Sequence, residues 1–389
     1  MKKFKEIARK YFPENLTSRV KTPCYLISEK KIEENCIILD TVQKKTGAKI
    51  LLALKAFASP EGFEIIKKYL HGVCASGPVE ARLGREEFNK EVHTFAPAFN
   101  ERQFQEVLKY SDYIIFNSIN QFKKYGDIAK AHNKSVGLRV NPGYSEVEVE
   151  LYDPCASGSR FGVSEKDLES FDINKIDGLH FHAMCEQNSD VLCRVLSSFE
   201  KRFSKYLKNL KWVNFGGGHH ITREDYDIQL LIDTINDFRE RYNNIQVYLE
   251  PGEAVVLNAG VFVTEVLDII HNEIDIAILD SSAETHMPDV LSMPYTPEII
   301  DAEKPGVLPY TYKLGGISCL AGDFIGTYSF KKPLKIGDRL VLLDMALYSF
   351  VKNTTFNGIE LPSIIYFDEN FNITYQKDFD YFAYKNRIS

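Results

Sequence analysis

The sequence predicts an α/β protein in which a closed (β/α)8 barrel is followed by an antiparallel β domain. Three observations lead to this prediction. Short β-branched runs alternate with longer amphipathic segments, and eight such runs fall within about 200 residues, close to the roughly 250 residues of a typical barrel. After about residue 260 the helical periods stop while β-rich runs continue.

The eight predicted barrel strands are apolar on both faces, which is typical of a parallel sheet covered by helices. They are Ile50–Phe57, Gly72–Ser76, Val92–Pro97, Tyr113–Asn117, Val136–Asn141, Ile176–Met184, Trp212–Phe215 and Gln246–Pro251. An open doubly wound sheet produces the same alternation of strands and helices, so it stays the alternative at this stage.

Helical signals lie between these runs. Ser59 and Pro60 suit an N-cap and a first helical position, and Phe63, Ile66 and Leu70 then recur at helical spacing. Another one-faced apolar stripe, which could cover the sheet, follows Ser28 and consists of Ile32, Cys36 and Leu39.

The second predicted domain is rich in short β runs joined by turn pairs such as Gly337-Asp338. The runs are Val261–Ile270, Ile276–Leu279, Tyr310–Leu314, Arg339–Leu343, Ile364–Phe367 and Ile373–Tyr375. The run Pro23–Ile27 is expected to join them. We therefore expect a barrel over residues 28–260 and a β-rich domain over residues 1–27 plus 261–389.

The composition is that of an ordinary globular enzyme, with 44% hydrophobic and 26% charged residues. A net charge of −7 argues against nucleic-acid binding, because no basic stripe is available to neutralise phosphates. The same charge suits a small cationic substrate.

The N-terminus has no continuous apolar segment of the kind found in secretory signals, and no stretch approaches the roughly 18 apolar residues of a membrane span. The seven cysteines are scattered, odd in number and form no CxxC pair, which indicates reduced thiols. A cytoplasmic location is expected.

Polar or small residues stand where the predicted strands end. They are Lys55, Ser76, Pro97, Asn117, Asn141, His182, Gly216, Gly217, Gly218 and Glu250. In a (β/α)8 barrel the carboxyl ends of the strands surround the active site. The pattern therefore predicts a catalytic site at this rim.

Lys55 is the most unusual of these residues, because a lysine within an apolar run is costly to bury unless it is neutralised or bound as an imine. A lysine that extends its amine to solvent at the strand end is the alternative. The Gly216-Gly217-Gly218 run could present backbone N–H groups to a phosphate, although a plain tight turn fits it equally well. Together the two features suggest a phosphorylated aldehyde cofactor.

Two further residues suit such a cofactor. A carboxylate at Glu250 could keep a pyridine nitrogen protonated, and His182 could stack on the ring face. A hydrogen-bonded core histidine is the alternative for His182. Cys185 with His182 could start a metal site, but no second pair completes a tetrahedral set, so no metal is expected.

The motifs around these residues occur in the order found in one family. The chain resembles the fold-type III pyridoxal-phosphate-dependent decarboxylases, the alanine-racemase-like barrels that include ornithine and diaminopimelate decarboxylases. The motifs are LALKAF around Lys55, CAS ending at Ser76, SRFG at Ser159–Gly162, FHAMCE at Phe181–Glu186, FGGGHH at Phe215–His220, EPGE at Glu250–Glu253, ETHMPD at Glu284–Asp289, GGISCLAGD at Gly315–Asp323, and Tyr348.

The resemblance implies that the cofactor is pyridoxal 5'-phosphate and that each matched residue has a role. Lys55 binds the cofactor aldehyde as an imine, His182 packs against the ring and Glu250 contacts the pyridine nitrogen. The phosphate is held by Ser76, Gly216, Gly217, Gly218 and Tyr348. Cys319 enters from the partner subunit of a homodimer with shared active sites and returns a proton to the substrate.

One position departs from the better-known members, which carry arginine where this chain has Glu253. A carboxylate cannot neutralise phosphate, so Glu253 is expected either to face elsewhere or to leave phosphate binding to the glycines. Glutamate here is expected in the branch that decarboxylates carboxylated triamines in polyamine biosynthesis, and the chain is most similar to that branch. Diaminopimelate or another basic amino acid is the alternative substrate.

A triamine substrate needs acidic partners for its ammonium groups. The candidates are Glu186, Glu284, Asp289 and Asp323, with the resemblance assigning the distal amine to Asp323; solvated loop carboxylates are the alternative. His286 has no role beyond a possible substrate contact. A racemase would need a second base opposite Lys55, and a non-catalytic carrier would lack the C-terminal β domain, so both are weaker alternatives.

Overall fold

The computed structural model describes residues 2–293 and 295–389. Residues 33–255 form one compact unit, and residues up to 32 together with those from 256 onward form the other. We call them the barrel unit and the sheet unit. The sequence-based boundaries at 28 and 260 stay a prediction. Strands and helices are numbered along the chain through both units.

The strands are β1 (Cys24–Ser28), β2 (Lys49–Ala53), β3 (Gly72–Ala75), β4 (Glu91–Phe95), β5 (Tyr113–Phe116), β6 (Ser135–Arg139), β7 (Gly178–His180), β8 (Trp212–Asn214), β9 (Gln246–Leu249), β10 (Gly260–Asn272), β11 (Ile274–Leu279), β12 (Ala302–Glu303), β13 (Tyr310–Gly315), β14 (Phe324–Phe330), β15 (Arg339–Leu343), β16 (Ser363–Phe367) and β17 (Ile373–Lys377). The helices are α1 (Lys2–Tyr11), α2 (Glu14–Thr17), α3 (Glu29–Thr46), α4 (Pro60–Ile66), α5 (Pro78–Leu83), α6 (Glu101–Tyr110), α7 (Ile119–Ala131), α8 (Glu165–Leu168), α9 (Ser189–Leu207), α10 (Ile228–Arg241), α11 (Glu253–Val256), α12 (Ala283–His286), α13 (Asp289–Ser292) and α14 (Tyr381–Ile388).

Strands β2 to β9 form a closed barrel in which neighbouring strands are parallel and follow one another in sequence order. The barrel closes where Lys49 of β2 pairs with Tyr248 of β9. This closure confirms the barrel prediction and excludes the open doubly wound sheet, because such a sheet has two unpaired edges.

β2 and β7 are each several residues shorter than the apolar runs that predicted them. Apolar residues beyond their ends, such as Leu54 and Phe181, are buried in the loops that follow. An apolar run indicates that residues are buried but does not fix their backbone conformation. The predicted strands were therefore longer than the observed ones. Lys55 and His182 therefore lie in loops immediately after their strands.

The helices that cover the barrel follow their sequence signals. α4 begins at Pro60 with Ser59 in the N-cap position, although it ends about a turn earlier than the apolar spacing suggested. In α3 the whole predicted stripe of Ile32, Cys36 and Leu39 is buried. The amphipathic pattern therefore located these faces correctly.

The sheet unit contains a nine-stranded sheet in the order β12-β14-β13-β11-β10-β1-β16-β17, with β15 paired to β10. Most pairs are antiparallel, as predicted, but β1 with β16 and β11 with β13 are parallel. β1 joins this sheet as expected for the run Pro23–Ile27, and it lies between β10 and β16.

Several elements of the sheet unit had no sequence prediction, namely α1, α2, α12, α13, α14, β12 and β14. Glycine, threonine and serine interrupt the apolar pattern of β14, so it carries no strand-like run. The two N-terminal helices contribute Ala8, Tyr11 and Leu16 to a buried cluster with strand residues such as Leu26 and Val263. Their apolar faces stabilise the sheet by burial.

No helix in the described part of the chain is long and apolar enough to cross a bilayer.

Candidate active site

The predicted site residues fall into one group in each unit. In the barrel unit, Lys55, Ser76, His182, the glycine loop Gly216–Gly218 and Glu250 directly follow β2, β3, β7, β8 and β9. These five strands are consecutive around the closed barrel. The residues therefore lie along one arc of the carboxyl-end rim, where parallel-strand barrels place their chemistry.

Glu250 carries a carboxylate held by two side chains from neighbouring strands. The Asn214 amide donates to it at 2.7 Å, and Nε2 of His180 lies 3.2 Å from its other oxygen. Burial alone would raise the pKa of Glu250, but His180 and Asn214 outweigh burial and bring the pKa to about 2. Glu250 is therefore an ionised, oriented acceptor at neutral pH.

His182 is half-buried and accepts a hydrogen bond at Nδ1 from the Gly217 N–H at 3.0 Å. Burial, followed by the positive charges of Lys55 and Arg139, lowers the pKa of His182 well below its usual value. The ring is therefore neutral, with its proton on Nε2.

The glycine loop packs so closely on adjacent backbone that side chains do not fit. A Cβ at Gly217 would lie 2.4 Å from the Glu250 carbonyl oxygen, and one at Gly218 would lie 2.0 Å from the Met184 carbonyl oxygen. The N–H groups of Gly216 and Gly217 already donate to Asn214 and His182. Close packing on neighbouring backbone thus accounts for glycine at all three positions of the loop.

Lys55 is exposed in the loop after β2, between buried Leu54 and Ala56. Its exposure agrees with the alternative of a lysine that extends its amine to solvent at the strand end, because the apolar run reflects the flanking residues and not Lys55. Its charge nevertheless reaches the site, since it lowers the pKa of His182 and opposes the burial that raises the pKa of Glu80.

Glu80 was missed by the sequence analysis. Its carboxylate accepts from the Ser76 backbone N–H at 2.6 Å and lies near Lys55. Ser76 itself is exposed. The only sequence signal was the position of Glu80 in the first turn of α5, a common place for acids that contact backbone N–H groups.

Arg139, His180 and Asn214 are further buried polar residues that the sequence analysis did not select. The Arg139 guanidinium lies 4.7 Å from the ring centroid of Phe95 and 4.4 Å from that of Phe161. Burial lowers its pKa to about 10, so it stays cationic at neutral pH. The two-residue period of a strand could have pointed to His180, two positions before His182.

Glu253 faces the imidazole of His220, whose Nε2 lies 3.4 Å from its carboxylate. It also lies near Glu186, whose pKa is raised by burial and then by the charge of Glu253. The position that carries arginine in better-known members of the family is thus occupied here by part of a small acidic group beside the glycine loop.

The second group of predicted residues lies in the sheet unit. Cys319 is the one exposed cysteine of the seven, and its N–H donates to the Asn357 side chain at 2.7 Å. Asp323 is only 4% exposed, and its carboxylate accepts from the N–H groups of Ala283, Glu284 and Ser318. These contacts hold the Asp323 carboxylate in place, and its contact with a substrate amine stays a prediction.

The remaining predicted residues of the sheet unit differ in their burial and in their contacts with other side chains. Both oxygens of Asp289 bind the Lys352 ammonium, at 2.7 and 2.9 Å. Tyr348 is half-buried with a positive φ of 37°, and Glu284 is half-buried. His286 is completely buried, and burial lowers its pKa to about 4.

In the part of the chain that the structure describes, no group of three or more His, Cys, Asp or Glu side chains could hold a metal ion.

The family model described as "Pyridoxal-dependent decarboxylase, C-terminal sheet domain" matches residues 24–346. The chain belongs to the pyridoxal-dependent decarboxylases. This membership confirms the predicted family, and with it the pyridoxal phosphate cofactor.

Several characterised pyridoxal-dependent decarboxylases are similar over nearly the whole chain. The carboxynorspermidine/carboxyspermidine decarboxylase of Campylobacter jejuni is 46% identical, covering 95% of this chain and 99% of that protein. The carboxyaminopropylagmatine decarboxylase of Synechocystis is 39% identical, covering 95% and 96%. The crystal structure of the Campylobacter jejuni carboxynorspermidine decarboxylase with norspermidine has a TM-score of 0.88 at 45% identity, covering 95% of this chain and 100% of that one.

The residues along the rim fit pyridoxal phosphate. Glu250 is a buried, ionised acceptor suited to a protonated pyridine nitrogen, and Lys55 presents an accessible amine for an aldehyde. The neutral His182 ring suits contact with an aromatic face. Lys55, Glu250 and His182 thus offer groups that fit the aldehyde, the pyridine nitrogen and the ring face of the cofactor.

Proposed function

We propose that this pyridoxal-dependent decarboxylase converts carboxynorspermidine and carboxyspermidine to norspermidine and spermidine in polyamine biosynthesis. The observation that carries the proposal is the 46% identity to the Campylobacter jejuni enzyme over 95% of the chain. A relative in Herminiimonas arsenicoxydans with the same name is 36% identical over 95% of the chain and 100% of its own length.

Diaminopimelate is the weaker candidate. The diaminopimelate decarboxylase of Pseudomonas aeruginosa is 27% identical over only 57% of this chain. Glu253 also stands where that activity usually has arginine, and its carboxylate lies 3.4 Å from Nε2 of His220. Carboxyaminopropylagmatine is the more serious second candidate, because the Synechocystis relative covers the chain as fully.

When bound, pyridoxal phosphate supplies the electron sink that lets an α-carboxylate leave as carbon dioxide. Lys55 is the amine that binds its aldehyde. Glu250 would receive the pyridine N–H, since its carboxylate is ionised and held in place by Asn214 and His180. His182 would contact the ring as a neutral imidazole, so it would add no charge that competes with Glu250.

Phosphate binding is assigned to Ser76, the glycine loop and Tyr348. In the loop, the Gly218 N–H is the preferred donor, because Gly216 and Gly217 already donate within the protein. Phosphate binding mainly by neutral donors is consistent with glutamate, and not arginine, at position 253.

The ammonium groups of a triamine require carboxylates that are not already neutralised. Glu284 and Glu186 are the preferred candidates, since Asp289 is paired with Lys352 and Asp323 is satisfied by backbone N–H groups. Burial and Glu253 raise the pKa of Glu186, and a nearby ammonium would favour its charged form.

Cys319 is assigned to return a proton to the substrate Cα after carbon dioxide leaves. Its exposure in the sheet unit is consistent with a thiol that acts in another subunit. We further propose a homodimer with shared active sites, in which Lys55 of one chain works with Cys319 of its partner.

The test is carbon dioxide release with added pyridoxal phosphate, measured across carboxynorspermidine, carboxyspermidine, carboxyaminopropylagmatine, meso-diaminopimelate and ornithine. We expect the first two to give kcat/KM at least about tenfold above the others. Preference for carboxyaminopropylagmatine would change the proposed substrate but not the assignment to the pyridoxal-dependent decarboxylases. Activity on diaminopimelate or ornithine alone would overturn the proposal, and the Lys55→Ala enzyme serves as the blank.

A further inference from the structure

A hydrogen-bonded bridge connects the glycine loop to Glu250 through Asn214. Oδ1 of Asn214 accepts from the Gly216 N–H at 2.8 Å, and Nδ2 donates to Glu250 Oε1 at 2.7 Å. The backbone adds a parallel link, since the Glu250 N–H donates to the Gly216 carbonyl at 2.8 Å. Asn214 is completely buried, so its side chain has no solvent alternative to these two bonds.

The second oxygen of Glu250 faces His180. Nε2 of His180 lies 3.2 Å from Oε2, and the imidazole is 2% exposed. Burial lowers the pKa of His180 despite the neighbouring carboxylate, so the ring is neutral. Because a carboxylate only accepts, His180 must carry its proton on Nε2 and donate it.

We infer that Asn214 and His180 are positioning residues of the cofactor site, which hold both oxygens of Glu250 in one orientation and, through Asn214, tie that orientation to the glycine loop. The inference rests on the proposed contact between Glu250 and the pyridine nitrogen. A glutamate side chain has three rotatable torsions, and two donors on different strands remove that freedom before the cofactor binds.

The bridge also connects the residues that are assigned to opposite ends of the cofactor. The glycine loop is assigned to the phosphate and Glu250 to the ring nitrogen, and Asn214 bonds to both. A displacement of the loop would therefore move the carboxylate, because the Asn214 side chain is hydrogen-bonded to the Gly216 N–H at 2.8 Å and to Glu250 at 2.7 Å. The Gly217 bond to His182 Nδ1 extends the same dependence to the ring-facing histidine.

Other titratable groups that face Glu250 are His93 on β4, Cys74 on β3 and Arg139 on β6. Arg139 favours the charged carboxylate by its positive charge, whereas the Cys74 thiol is kept protonated by burial and by Glu250. All three remain in variants of Asn214 or His180, so a change in such variants reports the loss of the hydrogen bonds.

The experiment compares reconstituted holoenzymes carrying Asn214→Leu, His180→Phe and His180→Gln with wild type. The readouts are the pH titration of the visible absorbance of bound pyridoxal phosphate, its Kd and the thermal midpoint. Glu250→Gln is the reference for losing the carboxylate. Asn35→Leu is the matched control, because Asn35 is a buried asparagine of the barrel unit that donates to the Val255 carbonyl.

We expect Asn214→Leu and His180→Phe to move the acid-side absorbance change to higher pH, because Glu250 loses a donor and protonates more easily. The Kd of pyridoxal phosphate should rise about tenfold, as expected for a lost hydrogen bond to a charged group. His180→Gln retains a neutral donor and should restore most of the wild-type titration. Asn35→Leu should lower only the thermal midpoint.

Each contrary result has a separate meaning. If Glu250→Gln shifts the titration but Asn214→Leu and His180→Phe do not, the positioning role is overturned while the role of Glu250 stands. A wild-type titration and Kd in Glu250→Gln would instead overturn the proposed contact with the pyridine nitrogen. Should Asn214→Leu fail to fold, the His180→Phe and His180→Gln pair decides alone.

Discussion

Lys55 and Glu250 occupy opposite surroundings, although both are assigned to the same cofactor. Lys55 is exposed, whereas the Glu250 side chain is 13% exposed and held by two donors. An exposed lysine keeps the rotational freedom it needs to reach an incoming aldehyde. A carboxylate that must stay charged next to a pyridine benefits from fixed donors instead.

Replacement of Lys55 by alanine should abolish the visible absorbance of bound pyridoxal phosphate and lower kcat by about a thousandfold or more, because the covalent link to the aldehyde is lost. Absorbance spectroscopy of the reconstituted protein measures this. Lys44→Ala is the control, since Lys44 is an exposed lysine of α3 that pairs with Asp40. Retention of the colour in Lys55→Ala would show that another amine binds the cofactor.

At the scale of elements, the loop between β8 and α10 depends on contacts between backbones. Gly216 and Gly218 adopt positive φ angles of 72° and 84°, and Gly217 approaches the carbonyl that follows β9. The loop is therefore shaped by the adjoining strand ends and is part of the barrel packing as well as of the site.

Gly217→Ala should destabilise the protein by about 1–3 kcal/mol and weaken pyridoxal phosphate binding, because the new Cβ would lie 2.4 Å from the Glu250 carbonyl oxygen. Urea unfolding and cofactor titration give the two quantities. Gly77→Ala is the stability control, since a Cβ there meets nothing within 4 Å. Equal stability of the two variants would mean that the loop relaxes at no cost.

At the scale of the whole molecule, each unit contains a histidine that folding keeps neutral. Burial lowers the pKa of His219 in the barrel unit and of His286 in the sheet unit, each to about 4. In the unfolded chain both would protonate near 6.5. Their contribution to stability is therefore complete above 6.5 and is lost as the pH falls through 4.

The free energy of unfolding of the cofactor-free protein should fall by on the order of 2 kcal/mol per buried histidine between about pH 7.5 and about pH 5. Glu250, with its pKa lowered to about 2, adds a further loss only below its ordinary value of 4.5. His286→Gln should reduce the dependence of the free energy of unfolding on pH between 7.5 and 5. An identical slope in His286→Gln would contradict this account.

Mixing Lys55→Ala and Cys319→Ala chains should restore activity to about a quarter of wild type, because half of the dimers would be mixed and each would contain one intact site. Cys319→Ala alone should retain the cofactor but turn over slowly. Carbon dioxide release by the unseparated mixture measures this, and mixed dimers isolated with two affinity tags should reach about half of wild type. No gain over either parent would show that Lys55 and Cys319 do not share a site across subunits.

Much of the fold followed from local patterns. The order of eight apolar runs predicted the barrel, and the loss of helical periods after about residue 260 predicted the sheet domain, because periodicity depends on nearby residues. Strand ends were less accurate, since Leu54 and Phe181 are buried without being in strands. β14 was missed because its small polar residues conceal the strand period.

By itself, the sequence determined the family, the cofactor and the rim positions such as Lys55 and Glu250, because ordered motifs and strand ends can be recognised without contacts. Only the tertiary structure decided which polar groups are already satisfied. Asp323 accepts from the Ala283 N–H 40 residues away, and Asn214 donates to Glu250 36 residues away. The physical reason is that hydrogen-bond partners so distant along the chain are chosen by how the strands and loops pack.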